Sequence, residues 1–168
     1  MAQSLCGIIL SKIDEQIERA DRMIGLLPDD RLDWKPAIPG AFSAATLLGH
    51  LMECLAGFCA VLFAMQPERL RHFADLRGLP VNHRCAPREA RERIKTYHRC
   101  IQEGFSLLQD SDLAMRVPTV FVQEGEALLL LLLGNLEHLI NHKHQLFTYL
   151  KEMGIDVGTR DLYHLRGQ

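Results

Sequence analysis

The chain has 168 residues, 48% hydrophobic and 24% charged, which is the balance of a single folded domain with its own core. A net charge of −2 excludes the strongly basic balance that favours nucleic acids or anionic membranes, so we expect neither as a partner. No secretion signal is evident, and the leucine run at 128–133 is far shorter than the roughly 20 residues of a membrane span, so we expect buried helix there. Five cysteines without a CxxC pair indicate reduced thiols and a cytoplasmic protein.

Helical periodicity starts near the amino terminus. Apolar residues at the 3.6-residue spacing predict a first helix from about Gln3 to Leu26, and prolines with a glycine then interrupt the pattern. Ser43 is a suitable N-cap for a second helix that continues to about Met65. Cys54 and Cys59 lie inside this apolar helix, where cysteines are more often small core residues than reactive ones.

A polar loop at 67–86 separates the second helix from a third. Pro87 fits the first turn of that third helix, whose apolar stripe continues to Leu108. The segment 110–123 contains VPTVFV, which favours extended or looped backbone over helix. The first two connections are long for a minimal bundle, where about two to eight residues are usual, so they could cross an end of the bundle or cover a site.

The fourth helix should begin just after the acidic Glu126 and continue to about Met153, with Gly154 as the residue that ends it. Four amphipathic helices without strand alternation predict an all-α four-helix bundle with long inter-helix loops, spanning residues 1–154. The remainder, 155–168, is expected to be an irregular tail that packs on the bundle or trails from it.

The fourth helix carries two stripes of residues at helical spacing. The first comprises Leu129, Leu132, Leu136, Ile140, Phe147 and Leu150. The second comprises Leu131, Asn135, His138, His142 and Tyr149. Because a surface helix of a monomer usually has one such stripe, the second needs a covering loop or a second copy of the chain. We therefore expect a homodimer.

Three histidines are the candidate functional residues. His138 and His142 are spaced i, i+4, so both rings leave one side of the fourth helix a turn apart. His50 lies at the edge of the core stripe of the second helix, from which its ring can reach a neighbouring helix. Three imidazoles can bind a divalent metal and leave a coordination position open. The spacing alone is equally typical of half-exposed histidines without a metal.

The sequence gives weaker support for a role of other polar residues at the site. Glu53, one turn after His50, could orient that imidazole, act as a fourth ligand or transfer a proton, or be a surface carboxylate. His98 lies on the core stripe of the third helix, which favours a hydrogen-bonded core histidine over a ligand, and His144 should be exposed. The remaining histidines lie in loops or the tail and have no predicted role: His72, His83 and His164.

The segments LPDDRLDWKP, FSAATLLGHL and NLEHLINHKHQLFTYLKEMG, in this order, resemble the DinB family of four-helix-bundle proteins. In that family a W-x-P loop precedes a helix with an L-x-H histidine, and a late helix carries H-x-x-x-H-R-G-Q before Y-L-x-x-x-G. Trp34 and Pro36 match the loop, and His50 matches the first histidine. The late motif is matched by His138, His142 and Gln145.

The resemblance implies that His50, His138 and His142 hold a divalent metal ion, with Zn or Ni favoured. Some members transfer or isomerise with low-molecular-weight thiols, which implies a metal-dependent enzyme of the thiol transferase or hydrolase type. A non-catalytic metal-binding or stress-related dimer is the alternative. The chain departs from the family pattern at Lys143 and His144, where Arg and Gly are common. Trp34 and Tyr149 could either wall the site or only pack.

Overall fold

A computed structural model describes residues 3–119 and 122–163. The four long helices are α1 (Leu5–Ile24), α2 (Ala44–Met65), α3 (Pro87–Ser106) and α4 (Leu128–Glu152). Short elements join them: 3₁₀-helices at Asp29–Arg31, Arg71–Gly78 and Asp110–Ala114, the strands β1 (Arg116–Val117) and β2 (Glu126–Ala127), and the final helix α5 (Thr159–Leu162). The predicted all-α fold is confirmed.

Local signals account for the ends of these helices. Ser43 caps α2, because its Oγ accepts a hydrogen bond from the Thr46 N–H at 3.2 Å. Pro87 is the first residue of α3, where its missing N–H has no helical acceptor to serve. Gly154 follows α4 with φ of 81°, the left-handed conformation that glycine adopts without strain.

The segment expected to be extended or looped is in fact mixed. It begins with the 3₁₀-helix Asp110–Ala114 and continues as β1, while positions 120 and 121 lie outside the described residues. β1 pairs antiparallel with β2, matching Arg116 with Ala127. Because Glu126 belongs to this pair, α4 begins two residues after it, at Leu128.

α2 and α3 run parallel to each other. The Cys85 N–H, just before α3, donates to the carbonyl of Ala45 at the start of α2, and Cys59 further along α2 contacts the carbonyl of Tyr97 further along α3. Consecutive parallel helices need a connection that returns along the bundle. The connection at 66–86 is therefore a crossover, and its 3₁₀-helix packs against α2 on the way back.

α4 runs antiparallel to α2 and lies on its other side. His50 of α2 meets His138 of α4, whereas Gly57, two turns later in α2, meets Asn135, about one turn earlier in α4. α1 completes the bundle by packing on α3 and α4. The order of the helices around the core is therefore α1, α3, α2, α4, and α2 lies diagonally opposite α1.

α2 is the most apolar of the described helices. By length and composition it could cross a membrane, but 56% of its most apolar window is buried inside the protein. The core helix of a bundle meets the same criteria, so this is weak evidence for a span. Each large apolar side chain buried here contributes about 1.5–3 kcal/mol to folding. The expectation that no membrane is a partner stays a prediction.

The two stripes of α4 are the edges of one broad buried face. Between them lie three further buried residues, Leu139, Lys143 and Leu146. The leucine run, expected to be buried helix, is helical but only partly buried: Leu128 and Leu132 are buried, whereas Leu130 and Leu133 are exposed on the opposite face. The histidine stripe is covered by α2 and by the α1–α2 loop of the same chain. This stripe therefore does not need a second copy of the chain to cover it, and the homodimer stays a prediction.

Part of the tail is ordered by a buried lysine. Residues 159–162, expected to be irregular, form α5, while 164–168, including His164, lie outside the described residues. Lys143 Nζ donates to Gln16 Oε1 of α1 at 2.6 Å and to the carbonyl of Leu162 at 3.0 Å. Lys143 therefore satisfies its buried charge by joining α4, α1 and α5, and it points away from the histidines.

The close passage of the crossover against α2 depends on Gly49. A Cβ at this position would lie 1.7 Å from the carbonyl oxygen of His83, so an alanine must displace backbone. We expect Gly49→Ala to lower the free energy of unfolding by about 1–3 kcal/mol or more, measured by urea denaturation. Gly134 of α4 is the matched control, because a Cβ there meets nothing within 4 Å. Gly134→Ala should stabilise by about 0.5–1 kcal/mol, and equal midpoints for both variants would contradict the packing argument.

Candidate metal centre

The three candidate histidines converge where α2 contacts α4. One ring nitrogen from each of His50, His138 and His142 lies within 4.8 Å of the other two, and all three side chains are half-buried. His50 comes from α2, and the other two come from successive turns of α4. Among the described residues, no other group of three or more histidine, cysteine or carboxylate side chains has the spacing of metal ligands.

The distance between two of the nitrogens suits a tetrahedral ion. His50 Nε2 and His138 Nε2 are 3.2 Å apart. Two nitrogens that each bind a zinc ion at about 2.0–2.1 Å in tetrahedral geometry stand about 3.3 Å apart. The ring centroid of His142 lies 4.3 Å from that of His50 and 4.8 Å from that of His138. Three close imidazoles can therefore hold a metal ion.

Hydrogen bonds orient the ring of His50. Its Nδ1 lies 2.5 Å from Asn82 Oδ1 and 2.8 Å from Glu53 Oε2. Because both partners offer oxygen acceptors, Nδ1 carries the proton and Nε2 keeps a free lone pair toward the other histidines. Glu53 thus occupies the position of an orienting acceptor behind the ring rather than that of a fourth ligand.

A chain of hydrogen bonds orients His142 in the same way. Its Nδ1 donates to Gln145 Oε1 at 2.9 Å, and Gln145 Nε2 donates to the hydroxyl of Tyr149 at 3.1 Å. That hydroxyl donates in turn to the carbonyl of Phe42 at 3.1 Å. The edge of Trp34 packs on Tyr149, with ring centroids 5.0 Å apart. Trp34 and Tyr149 therefore join the α1–α2 loop to α4 beside the site.

Burial keeps two of the imidazoles neutral. Desolvation lowers the pKa of His138 below its usual value of 6.5, and the nearby His50 lowers it further. Desolvation also lowers the pKa of His142, against a smaller opposite effect of its hydrogen bond to Gln145. The neutral imidazole is the form that binds metals, so the site is prepared for a ligand role near neutral pH.

Asn82 is the residue that the sequence did not reveal. It lies at the end of the crossover, with φ of 57°, and its N–H donates to the carbonyl of Gly49 at 3.2 Å. Asparagine tolerates this left-handed conformation better than most residues, which is a weak local signal. Its contact with His50 spans 32 positions of sequence, so only the folded chain places it at the site.

Other histidines lie elsewhere. His98 Nε2 is 2.7 Å from Asp14 Oδ1 across the α1–α3 contact, half-exposed rather than in the core. His144 is exposed, as expected, and stacks on Phe147. Two histidines of the crossover have partners in α3: His72 pairs with Glu103, and the His83 ring contacts Arg93.

A mostly apolar cavity lies between α2, α4 and the β1 region, one to two turns along these helices from the histidines. Its volume is about 670 Å³, within the range of small-molecule sites. Asn135, one turn before His138 in α4, lines it. The lining also includes Gly57, Val61, Leu130, Leu131 and Gly134. Asn135 therefore belongs both to the histidine stripe of α4 and to the wall of the cavity.

No family model and no curated protein matches the sequence. The fold is similar to that of a DinB-like protein, YjoA, from Bacillus subtilis, with a TM-score of 0.67 and 20% identity over 89% of this chain and 94% of that one. It is also similar to a DinB-like protein from Bacillus cereus, with a TM-score of 0.70 and 16% identity over 94% of this chain and 98% of that one. The resemblance seen in the motifs is thus confirmed at the level of the fold.

In metal-free protein, we expect His138 and His142 to titrate below pH 6.5, measured by NMR of the imidazole resonances. The unfolded chain takes up these protons near the ordinary value while the native site resists them, so stability should fall as pH drops below 6.5. The double variant His138→Gln, His142→Gln should lose part of this slope. Titration of both rings above 6.5 would show that the site is not desolvated.

Proposed function

We propose that this chain, which has the fold of the DinB-like proteins, binds a divalent metal ion through His50, His138 and His142 and acts with it on a small molecule. The observation that carries the proposal is the convergence of three imidazole nitrogens from two helices. Two of the rings are held through Nδ1, which leaves Nε2 free to bind. Rings oriented by outer hydrogen bonds are typical of metal ligands.

The donor set favours particular metals. Three neutral imidazoles suit Zn, Ni, Cu, Fe or Co, and we favour Zn or Ni. Three protein ligands leave a coordination position for water or a thiol, as in catalytic zinc sites. When bound, such a metal lowers the pKa of a ligated water to about 7 or holds a thiol as its thiolate.

The chain's own residues would prepare the site for that chemistry. Asn82 and Glu53 hold the His50 ring, and Gln145 holds the His142 ring, so the nitrogens need little rearrangement on binding. The adjoining cavity would receive the apolar part of a substrate, and Asn135 would supply an amide near its polar end. We assign no residue as general acid or base; Glu53 is the nearest candidate for proton transfer.

The thiol transferase or hydrolase activity is the finer part of the proposal. It rests on the resemblance to DinB proteins and on the open coordination position. The alternative is a non-catalytic protein that sequesters a metal or an apolar ligand, and the mostly apolar lining of the cavity favours it. A cytoplasmic location and a homodimer are further parts of this proposal, and light scattering tests the dimer directly.

Metal content tests the site itself. We expect untagged protein to carry about one divalent ion per chain by mass spectrometry of the metals, and His138→Ala or His142→Ala to lose most of it. His144→Ala is the matched control, because His144 is exposed on another face of the same helix. Full retention of metal by both ligand variants would exclude the site.

Metal binding should also change stability. An ion that binds only the native state raises the melting temperature by mass action. Because bound histidines must be deprotonated, this gain should shrink as the pH falls from about 7.5 to about 5.5. Identical melting curves with and without Zn²⁺ at the higher pH would contradict the proposal.

Asn82 offers a test of the orienting hydrogen bond. Asn82→Gly keeps the left-handed backbone but removes one of the two acceptors of His50 Nδ1 and leaves Glu53 as the other. We expect metal affinity to fall roughly 10- to 100-fold, measured by competition with a chelator. Asn82→Asp retains an acceptor oxygen and should bind nearly as tightly as the original chain. Equal affinities for all three proteins would leave Asn82 without a role in orientation.

Catalysis is tested with metal-loaded protein and a panel of thiols, including cysteine and glutathione, each paired with chlorodinitrobenzene or an epoxide. We expect consumption of both reactants that depends on the metal and is abolished in His142→Ala. Binding of stoichiometric metal without turnover across the panel would support the sequestering protein instead.

A further inference from the structure

Two thiols meet at the α2–α3 contact, on the opposite side of α2 from α4. Cys59 of α2 lies across this contact from Cys100 of α3, because Leu62, one turn after Cys59, packs against Gly104, one turn after Cys100. Cys59 Sγ also lies 3.9 Å from the carbonyl oxygen of Tyr97, one turn before Cys100. Both cysteines are free and buried. We propose that Cys59 and Cys100 are a modification site that a small peroxide converts reversibly to an intramolecular disulfide.

The two helices are close enough at this point for such a bond. One turn beyond Cys100, Gly104 faces Leu62, and a Cβ on Gly104 would lie 2.8 Å from the Leu62 side chain. The missing side chain lets α2 and α3 approach closely beside the two cysteines. A disulfide requires Cβ atoms about 3.5–4.5 Å apart, and cysteines that face each other on helices packed this closely can reach that spacing with small rotations.

One of the thiols is activated by the other. The hydrogen bond from Cys59 lowers the pKa of Cys100 to about 7, against the opposing effects of burial and Glu103 and with smaller help from His72 and Arg99. By contrast, burial raises the pKa of Cys54 and of Cys85 to about 12. Because the thiolate is the nucleophile, Cys100 should react first among the cysteines of the chain.

A cavity brings small oxidants as far as Cys59, next to Cys100 across the helix contact. Cys59 lines a space of about 310 Å³ between α2 and the crossover, and this space is open to solvent. Its other walls include Phe63, Phe73, Leu76, Arg77 and Leu79. Hydrogen peroxide is small enough to enter, whereas bulky alkylating reagents should be hindered, since both cysteines are buried.

The reaction balances in two steps. The Cys100 thiolate attacks one peroxide oxygen, the O–O bond breaks, and the leaving hydroxide takes a proton to become water, which leaves a sulfenic acid. The Cys59 sulfur then attacks the sulfenic sulfur, the S–O bond breaks and a second water leaves. Two thiols and one hydrogen peroxide thus give one disulfide and two waters, and a dithiol reductant reverses the change.

The test uses the reduced full-length protein treated with a slight excess of hydrogen peroxide. The free thiols are then capped with N-ethylmaleimide under denaturing conditions. We expect the number of capped thiols to fall from five to three and a tryptic map to contain a peptide that links Cys59 to Cys100. Dithiothreitol should restore all five. Five cappable thiols after peroxide, or a disulfide between other cysteines or between chains, would overturn the proposal.

Single substitutions sharpen the result. Cys59→Ser should prevent the linkage and leave Cys100 as a sulfenic acid that dimedone traps, whereas Cys100→Ser should prevent both products. Cys54→Ser is the matched control, because Cys54 is equally buried in α2 and should not affect the link. If a serine variant does not fold, the linked peptide from the original chain still decides the question. Stable over-oxidation of Cys100 there without a disulfide would also refute it.

Discussion

The close packing of α2 against its neighbours is the constraint on which the structure depends. At Gly49 the crossover passes so near that its backbone would meet any Cβ, and at Gly57 a Cβ would lie 2.5 Å from the Asn135 side chain. These two glycines allow the crossover and α4 to approach the same segment of α2 from two directions. His50 lies between those glycines, and its Nε2 is therefore brought to 3.2 Å from His138. Helix spacing, more than any polar interaction, assembles the candidate site.

The parallel direction of α2 and α3 explains why the loops are long and why they matter. The crossover must return along the bundle, and near its end it places Asn82 against the His50 ring. The α1–α2 loop ends with Phe42, whose carbonyl terminates the hydrogen-bond chain from His142. Each loop thus adds an acceptor to the orienting contacts that Glu53 of α2 and Gln145 of α4 already make. The helices of the bundle supply the three histidines, and the loops help to fix the orientation of their rings.

Much of this could be predicted from local sequence. The 3.6-residue spacing of apolar residues and the end signals at Ser43, Pro87 and Gly154 depend on neighbours within one or two turns. The pairing of His138 with His142 follows from helical geometry alone. The predictions for α4 were correct only in part: its two stripes are edges of one buried face, and its leucine run is only partly buried. Periodicity shows which residues share a face but not how wide the buried face is.

The sequence by itself determined the helices, their ends and the histidine pair, because each depends on residues close together in the chain. Only the tertiary structure decided that His50 lies against that pair and that Asn82 orients the His50 ring. The same is true of the contact of Lys143 with α5 and of the placement of Cys59 opposite Cys100. Each of these is a contact between segments distant in sequence. Such contacts depend on helix directions and on close approaches at small residues, which arise when the whole chain packs and which no local pattern encodes.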